Sequence, residues 1–317
     1  MAEITASLVK ELREATGAGM MDCKKALSDP EVNGDIDKAV EFLRKKGLAA
    51  SAKKANRIAA EGVVKTAISA DGKNAVVVEV NSETDFVAKN EKFTSYVQEV
   101  ADQALTSSAA TVEEFLNEKW ALDSTLTVSE KLSSMVALIG EKLTIRRFEK
   151  ISGDAVVSYI HGDGKIGVLV AANTTAVNDE VSECLKNVAM QIAAMNAKYV
   201  TSDEVPEDYK NHERQVIAET VAADPKFAGK PEKVIAGAIE GKLNKELKDV
   251  VLLEQEYVKS MDDSDKTVKK YVEKVAKATG SNLSVKSFVR LERGEGLEKK
   301  VDDFAAEVAA QAAAAQN

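Results

Sequence analysis

Val76-Val77-Val78-Glu79-Val80-Asn81-Ser82-Glu83-Thr84-Asp85-Phe86-Val87-Ala88-Lys89-Asn90 is the stretch on which the reading of this chain turns. The β-branched run Val76 to Val80 reads as a buried strand, and the polar cluster Asn81 to Asp85 ends it. Thr84 or Asp85 can cap a helix running to about Leu105, whose core stripe of Phe93, Tyr96, Val97, Val100, Ala101, Ala104 and Leu105 recurs at spacings of three and four. Phe86 lies before that stripe, among Glu83, Asp85 and Lys89. Either it folds back as a staple against the helix or it projects as an anchor for a partner, and the local sequence favours the staple.

The same strand, turn and helix occur twice. With Gly72 laid on Gly164, Val64 meets Val156, Ile68 meets Ile160, Asp71-Gly72-Lys73 meets Asp163-Gly164-Lys165, Val76 meets Val168 and Asn81 meets Asn173. Each copy is a hairpin with an Asp-Gly turn followed by an amphipathic helix, the second carrying Leu185, Val188, Ala189 and Ile192. Each closes with a further helix (Val128, Leu132, Met135, Ile139; Val268, Tyr271, Val272, Val275) and a third strand, Leu143 to Phe148 or Leu283 to Leu291. The core is therefore α+β: two small antiparallel sheets covered by helices, residues 56–152 and residues 153–200 with 250–292. The second copy holds about 50 extra residues between its helices. Residues 201–249 predict an antiparallel coiled coil, Glu207 to Ala223 and Pro231 to about Asp249, with Val216, Ile217, Val234, Ile235, Ile239 and Leu243 as its sparse apolar positions.

Residues 1–55 predict a three-helix module and linker. Thr5 caps a first helix with the face Leu8, Val9, Leu12 and Ala15, Gly17 and Gly19 end it, Met20 to Leu27 is a second helix, and Asp35 opens a third that stops at Gly47. Residues 293–317 begin with Gly294-Glu295-Gly296 and predict a C-terminal helix from about Glu298, with Val301, Phe304, Ala305 and Val308 on one face.

Composition narrows the function. The 317 residues are 44% hydrophobic and 30% charged with a net charge of -9, the profile of a globular protein without the basic surplus of a nucleic-acid binder. Cys23 and Cys184 are isolated, which fits a reducing compartment, and no run is long enough to span a membrane, so a cytoplasmic location is expected. There is no Gly-rich phosphate loop, nucleophile elbow, carboxylate pair or zinc-ligand spacing, and no enzyme reading has residues to rest on. What stands out are contact features: Phe86, the pair Met20-Met21, His161 at a hairpin tip, and the inserted coil. Each has a bland counterpart. Methionines fill cores, a turn histidine or Lys24 and Lys25 are ordinarily solvated, and a coil serves as a dimer arm.

Thr16-Gly17-Ala18-Gly19-Met20-Met21-Asp22-Cys23-Lys24-Lys25-Ala26-Leu27, Glu83-Thr84-Asp85-Phe86-Val87-Ala88 and Gly294-Glu295-Gly296-Leu297-Glu298-Lys299 together resemble the bacterial elongation factor Ts family. The resemblance implies a ubiquitin-associated-like fold for the N-terminal helices and a guanine-nucleotide exchange factor for elongation factor Tu in translation elongation, acting without covalent chemistry or a cofactor of its own. It implies binding to the GDP-bound and nucleotide-free partner, with magnesium belonging to that partner, no direct nucleic-acid or membrane contact, and a possible dimer. It reverses the local preference at Phe86: Thr84, Asp85, Phe86 and Val87 match the family's exchange wedge. Arg13, Met20, Met21 and Lys24 match N-terminal partner contacts, Lys53 a linker lysine, Ile139 and Gly140 a second core contact, and His161 a contact to the partner's third domain. The second copy has Val177-Asn178 where the first has Asp85-Phe86, so one subdomain alone carries the wedge. The competing expectation is a non-catalytic ubiquitin-associated-like adaptor or dimeric scaffold.

Overall fold

The computed structural model describes residues 3–298. Three helices open it: α1 (Ala6–Thr16), capped by Thr5 and ended by the left-handed Gly17, α2 (Met20–Leu27), and α3 (Ile36–Lys54), capped by Asp35. They enclose a small core of Val9, Leu12, Cys23, Ala26, Leu27, Val32 and Ala39, while Ala15, placed on the buried face by periodicity, is exposed. The third helix does not stop at Gly47. It runs on for two turns because α3 packs on a core helix there, and a β-carbon on Gly47 would lie 3.3 Å from the Ser133 carbonyl oxygen. Glycine's cost in a helix interior is thus offset by a close helix-helix approach. Arg44 adds an ion pair to Glu130.

The first copy contains β1 (Glu61–Ile68), β2 (Asn74–Ser82), α4 (Asp85–Ala88), α5 (Glu91–Thr106), α6 (Val112–Asn117), the short pair β3 (Lys119–Trp120) and β4 (Asp123–Thr127), α7 (Val128–Ile139) and β5 (Thr144–Ser152). The second contains β6 (Ala155–His161), β7 (Ile166–Asn173), α8 (Asp179–Met195), α11 (Val268–Thr279) and β8 (Ser284–Glu292), with α9 (Glu207–Ala223) and α10 (Glu232–Val250) inserted. Two antiparallel sheets result, ordered β1-β2-β5 and β6-β7-β8. Even a strand irregularity is repeated, between Glu79 and Val80 on β2 and between Ala171 and Ala172 on β7.

One face of each sheet is covered by its own helices, and the other faces meet through Val64, Ala75, Val77, Val156, Leu169, Ala171 and Leu291. The contact is reciprocal in the manner of a two-fold interface: the Val64 N–H donates to the Gly164 carbonyl and the Val156 N–H to the Gly72 carbonyl, both at 2.8 Å. Gly167 has no room for a side chain, since a β-carbon would sit 2.4 Å from a Val64 methyl. The inserted α9-α10 pair buries Ile217, Val221 and Leu243, with Arg214 bonded to Glu240, but Val216 and Val234 are exposed. At its base the Lys198 N–H donates to Val250 and the Leu252 N–H to Tyr199, so the insertion leaves and re-enters at adjacent points.

A charged joint ties the last described residues to the first sheet. Glu79, fully buried on β2, pairs with Arg146 at 3.0 Å and Arg147 at 2.6 Å and accepts from the Gly294 backbone N–H at 2.8 Å. Gly294 is positive in φ, and a β-carbon would strike the Ala60 carbonyl oxygen, so the family-like Gly294-Glu295-Gly296 stretch is a docking turn. Burial alone would push the Glu79 carboxyl up; bonds from Gly294, Asn81 and Arg147 outweigh it and hold the pKa below the usual range. The C-terminal helix expected from about Glu298 falls on residues 299–317, outside the described residues.

Candidate functional site

The polar cluster after β2 builds the site. The single helix expected from Thr84 to Leu105 is two helices, because two caps compete for the chain. Thr84 accepts from the Val87 N–H and starts the one-turn α4, whereas Asn90 accepts from the Lys92 and Phe93 N–H groups and starts α5 afresh. Asn81 and Ser82, read as strand terminators, remain inside β2 and are buried. Within α4, Val87 and Ala88 turn into the core of the first copy, and successive helical residues point about 100° apart, so Phe86 is driven outward. Its side chain is 82% exposed. Val87 is the staple that local sequence had assigned to Phe86. Leaving a phenylalanine in water forgoes about 1.5–3 kcal/mol of burial, which a fold gains nothing by doing.

The turn is held from across the domain. One oxygen of the Glu141 carboxylate accepts from the backbone N–H groups of Glu83 at 3.1 Å and Thr84 at 3.0 Å, and the other from the Thr84 hydroxyl at 2.7 Å. In return the Glu83 carboxylate accepts from the Lys142 N–H at 2.6 Å, and it pairs with Arg57 at 3.3 Å. The Lys142 ammonium donates to the Arg57 carbonyl at 2.8 Å. Asp85 pairs with Lys89 at 2.9 Å, and that hydrogen bond holds its carboxyl below the usual range. Glu141 directly follows Gly140, the left-handed residue that ends α7, so the turn of the half-buried Ile139 and exposed Gly140 is tied to Glu83 and Thr84.

The other expected contact residues lie apart from this turn. Met20 and Met21, 59% and 62% exposed, stand at the start of α2, with Lys24 one turn on, and none fills the module's core. Arg13 is exposed in the last turn of α1 and Lys53 in the last turn of α3. His161 is exposed at the end of β6, its Nδ1 3.1 Å from the Tyr159 hydroxyl. Sequence reasoning missed Arg57, Glu83, Glu141 and Lys142. Glu83 stood in the quoted Glu83-to-Ala88 motif without a role of its own, and Glu141 stood as a lone acid beside a helix-ending glycine.

Burial pushes the thiols of Cys23 and Cys184 up, the latter to about 12, so neither is a thiolate near neutral pH. Among the described residues no group of three or more His, Cys, Asp or Glu could hold a metal, and no helix is long and apolar enough to cross a membrane. A duplicated α+β scaffold that presents the most exposed aromatic among the described residues on a turn pinned by Glu141 has the form of a protein-binding surface. The family model described as Elongation factor TS matches residues 83–295. Proteins named elongation factor Ts are similar along nearly their whole length: that of Clostridioides difficile (strain 630) is 50% identical over 98% of this chain and 99% of its own, and that of Clostridium novyi (strain NT) 48% over 97% and 98%. The chain belongs to the elongation factor Ts family.

Proposed function

We propose that this chain acts as the guanine-nucleotide exchange factor of elongation factor Tu in translation elongation, with Phe86 as the side chain that drives GDP out. The observation that carries it is the 82% exposure of Phe86 on a turn whose backbone is fixed by Glu141. A preorganised aromatic spends little binding energy on being ordered and delivers it to the partner. Exchange then follows from linkage: whatever factor the chain takes from GDP affinity, GDP takes from the chain's affinity, about 1.4 kcal/mol for each tenfold. The chain itself forms and breaks no bond, and the magnesium and nucleotide belong to the partner.

Thr84 and Asp85 shape the wedge, and Val87 anchors it from within. Ile139 and Gly140 meet the partner beside it. Arg13, Met20, Met21, Lys24 and Lys53 extend the contact from the N-terminal helices, and His161 reaches a second partner domain from the other copy. Both the GDP-bound and the nucleotide-free partner are bound, in the cytoplasm, by units divided as residues 1–55, 56–152, 153–200 with 250–292, 201–249 and 293–317. The test is release of a fluorescent GDP from elongation factor Tu. The chain at catalytic concentration is expected to accelerate release, and Phe86→Ala to slow that acceleration at least about tenfold while still forming a complex. Release at the spontaneous rate with the unaltered chain would leave only the adaptor reading.

A further inference from the structure

The two copies close their final helix-to-strand turn on the end of the central strand in the same way, with one difference. In the first copy the Lys142 N–H donates to the Glu83 side chain; in the second the Asn282 N–H donates to the Thr175 hydroxyl at 3.1 Å, at the matching positions. The reverse bond is not shared. Where the first copy has Glu141 after the left-handed Gly140, the second has Ser281 after the left-handed Gly280, and the Ser281 hydroxyl is engaged with Thr279 at 2.7 Å. The fold therefore forms this corner without a carboxylate. The carboxylate occurs in the copy that carries Phe86, and its three bonds all go to Glu83 and Thr84, the residues that lead into Phe86.

We infer that Glu141 is a positioning residue for exchange: with Glu83 and Lys142 it forms a latch that locks the Phe86 turn to the Ile139-Gly140 turn and, through Arg57, to the segment after α3. The inference rests on the wedge reading and adds what makes the wedge effective. Without the latch the Glu83-Thr84 backbone would have two N–H groups to satisfy with water and more conformations to lose on binding. That ordering would draw on the binding energy otherwise spent on expelling GDP.

Glu141→Gln tests it, because glutamine keeps the length and volume but can no longer offer acceptor oxygens to both the backbone pair and the Thr84 hydroxyl. At saturating elongation factor Tu·GDP the maximal exchange rate is expected to fall about fivefold or more, with the half-saturating concentration changed less than about twofold. Amide hydrogen exchange at Glu83 and Thr84 should speed up while the melting temperature stays near the parent's. In a Phe86→Ala background the same change should have no further effect on the rate. Thr84→Val removes one of the three bonds together with the hydroxyl that caps α4, so it should slow exchange in the same manner, and it serves if Glu141→Gln destabilises the chain. Full-speed exchange despite loosened Glu83 and Thr84 amides would overturn the latch, and so would slowing that persists undiminished without Phe86. If Phe86→Ala alone exchanges at the parental rate, the wedge reading falls by that measurement and not through Glu141.

Discussion

In the first copy of the repeat, eight residues separate the central strand from its long helix, Glu83 to Asn90; in the second there are five, Thr174 to Asn178. The shorter connection has one cap, Asn178, and α8 starts at once. The longer one has two, Thr84 and Asn90, and the turn between them is α4. Val177 in the second copy is 65% exposed where Asp85 stands in the first, yet nothing comparable to Phe86 projects there, since the matching residue is the cap itself. The hairpins, the sheet order, the strand irregularity and the glycine helix ends are common to both. The exposed turn thus goes with a second capping signal in one copy, which splits the helix and leaves the sheet and the helix stripe beneath it in the same register.

The contrast is sharpest between two phenylalanines seven residues apart. Phe93 is fully buried in the first copy's core, and Phe93→Ala is expected to cost about 3–5 kcal/mol in denaturant or thermal unfolding. Phe86→Ala should leave the same transition almost unmoved. A large loss for Phe86→Ala would restore the staple reading and remove the difference between the copies.

The charged joint separates the copies next, because Ala171 occupies in the second sheet the place that Glu79 holds in the first. Glu79 has a lower pKa in the folded chain than its ordinary value of 4.5, so the unfolded chain binds more protons as the solution is acidified. Its stabilisation is complete above pH 4.5 and is lost as pH falls through the folded value. Glu79→Ala is expected to cost about 3 kcal/mol at neutral pH by removing the buried acceptor shared by Arg146, Arg147 and the Gly294 N–H, and to flatten stability against pH in that acid window. An unchanged acid limb would assign the pH response to other carboxylates.

Smaller effects follow from the caps. Asn90→Ala should cost about 1 kcal/mol, and Asn178→Ala a similar amount, since both accept first-turn N–H groups. Asn178→Phe should lose that cap and confer no exchange activity in a Phe86→Ala chain, measured by GDP release. Recovery of exchange would mean that exposure of an aromatic is sufficient and the Glu141 latch is dispensable.

Much of the fold was legible because its causes are local. Thr5 and Asp35 cap helices where their neighbours' periodicity required, the Asp-Gly turns close the hairpins, and the repeat declared itself by pairing residues at one offset. Where the reading failed, a distant contact had overruled a local signal. Gly47 looked like a helix end until α7 packed against it, and Phe86 looked like a staple until Val87 and Ala88 took the core positions. The residues proposed as the wedge could be named from sequence, since a short motif carries them. Their support could not, because Glu141 lies 57 positions along the chain from Thr84 and Gly294 lies 215 from Glu79. Caps and periodicity are set by the chain's own neighbours, so the sequence by itself determined the elements and the duplication. Which carboxylate would hold which turn depended on how the sheets and α7 came together, and only the tertiary structure decided it.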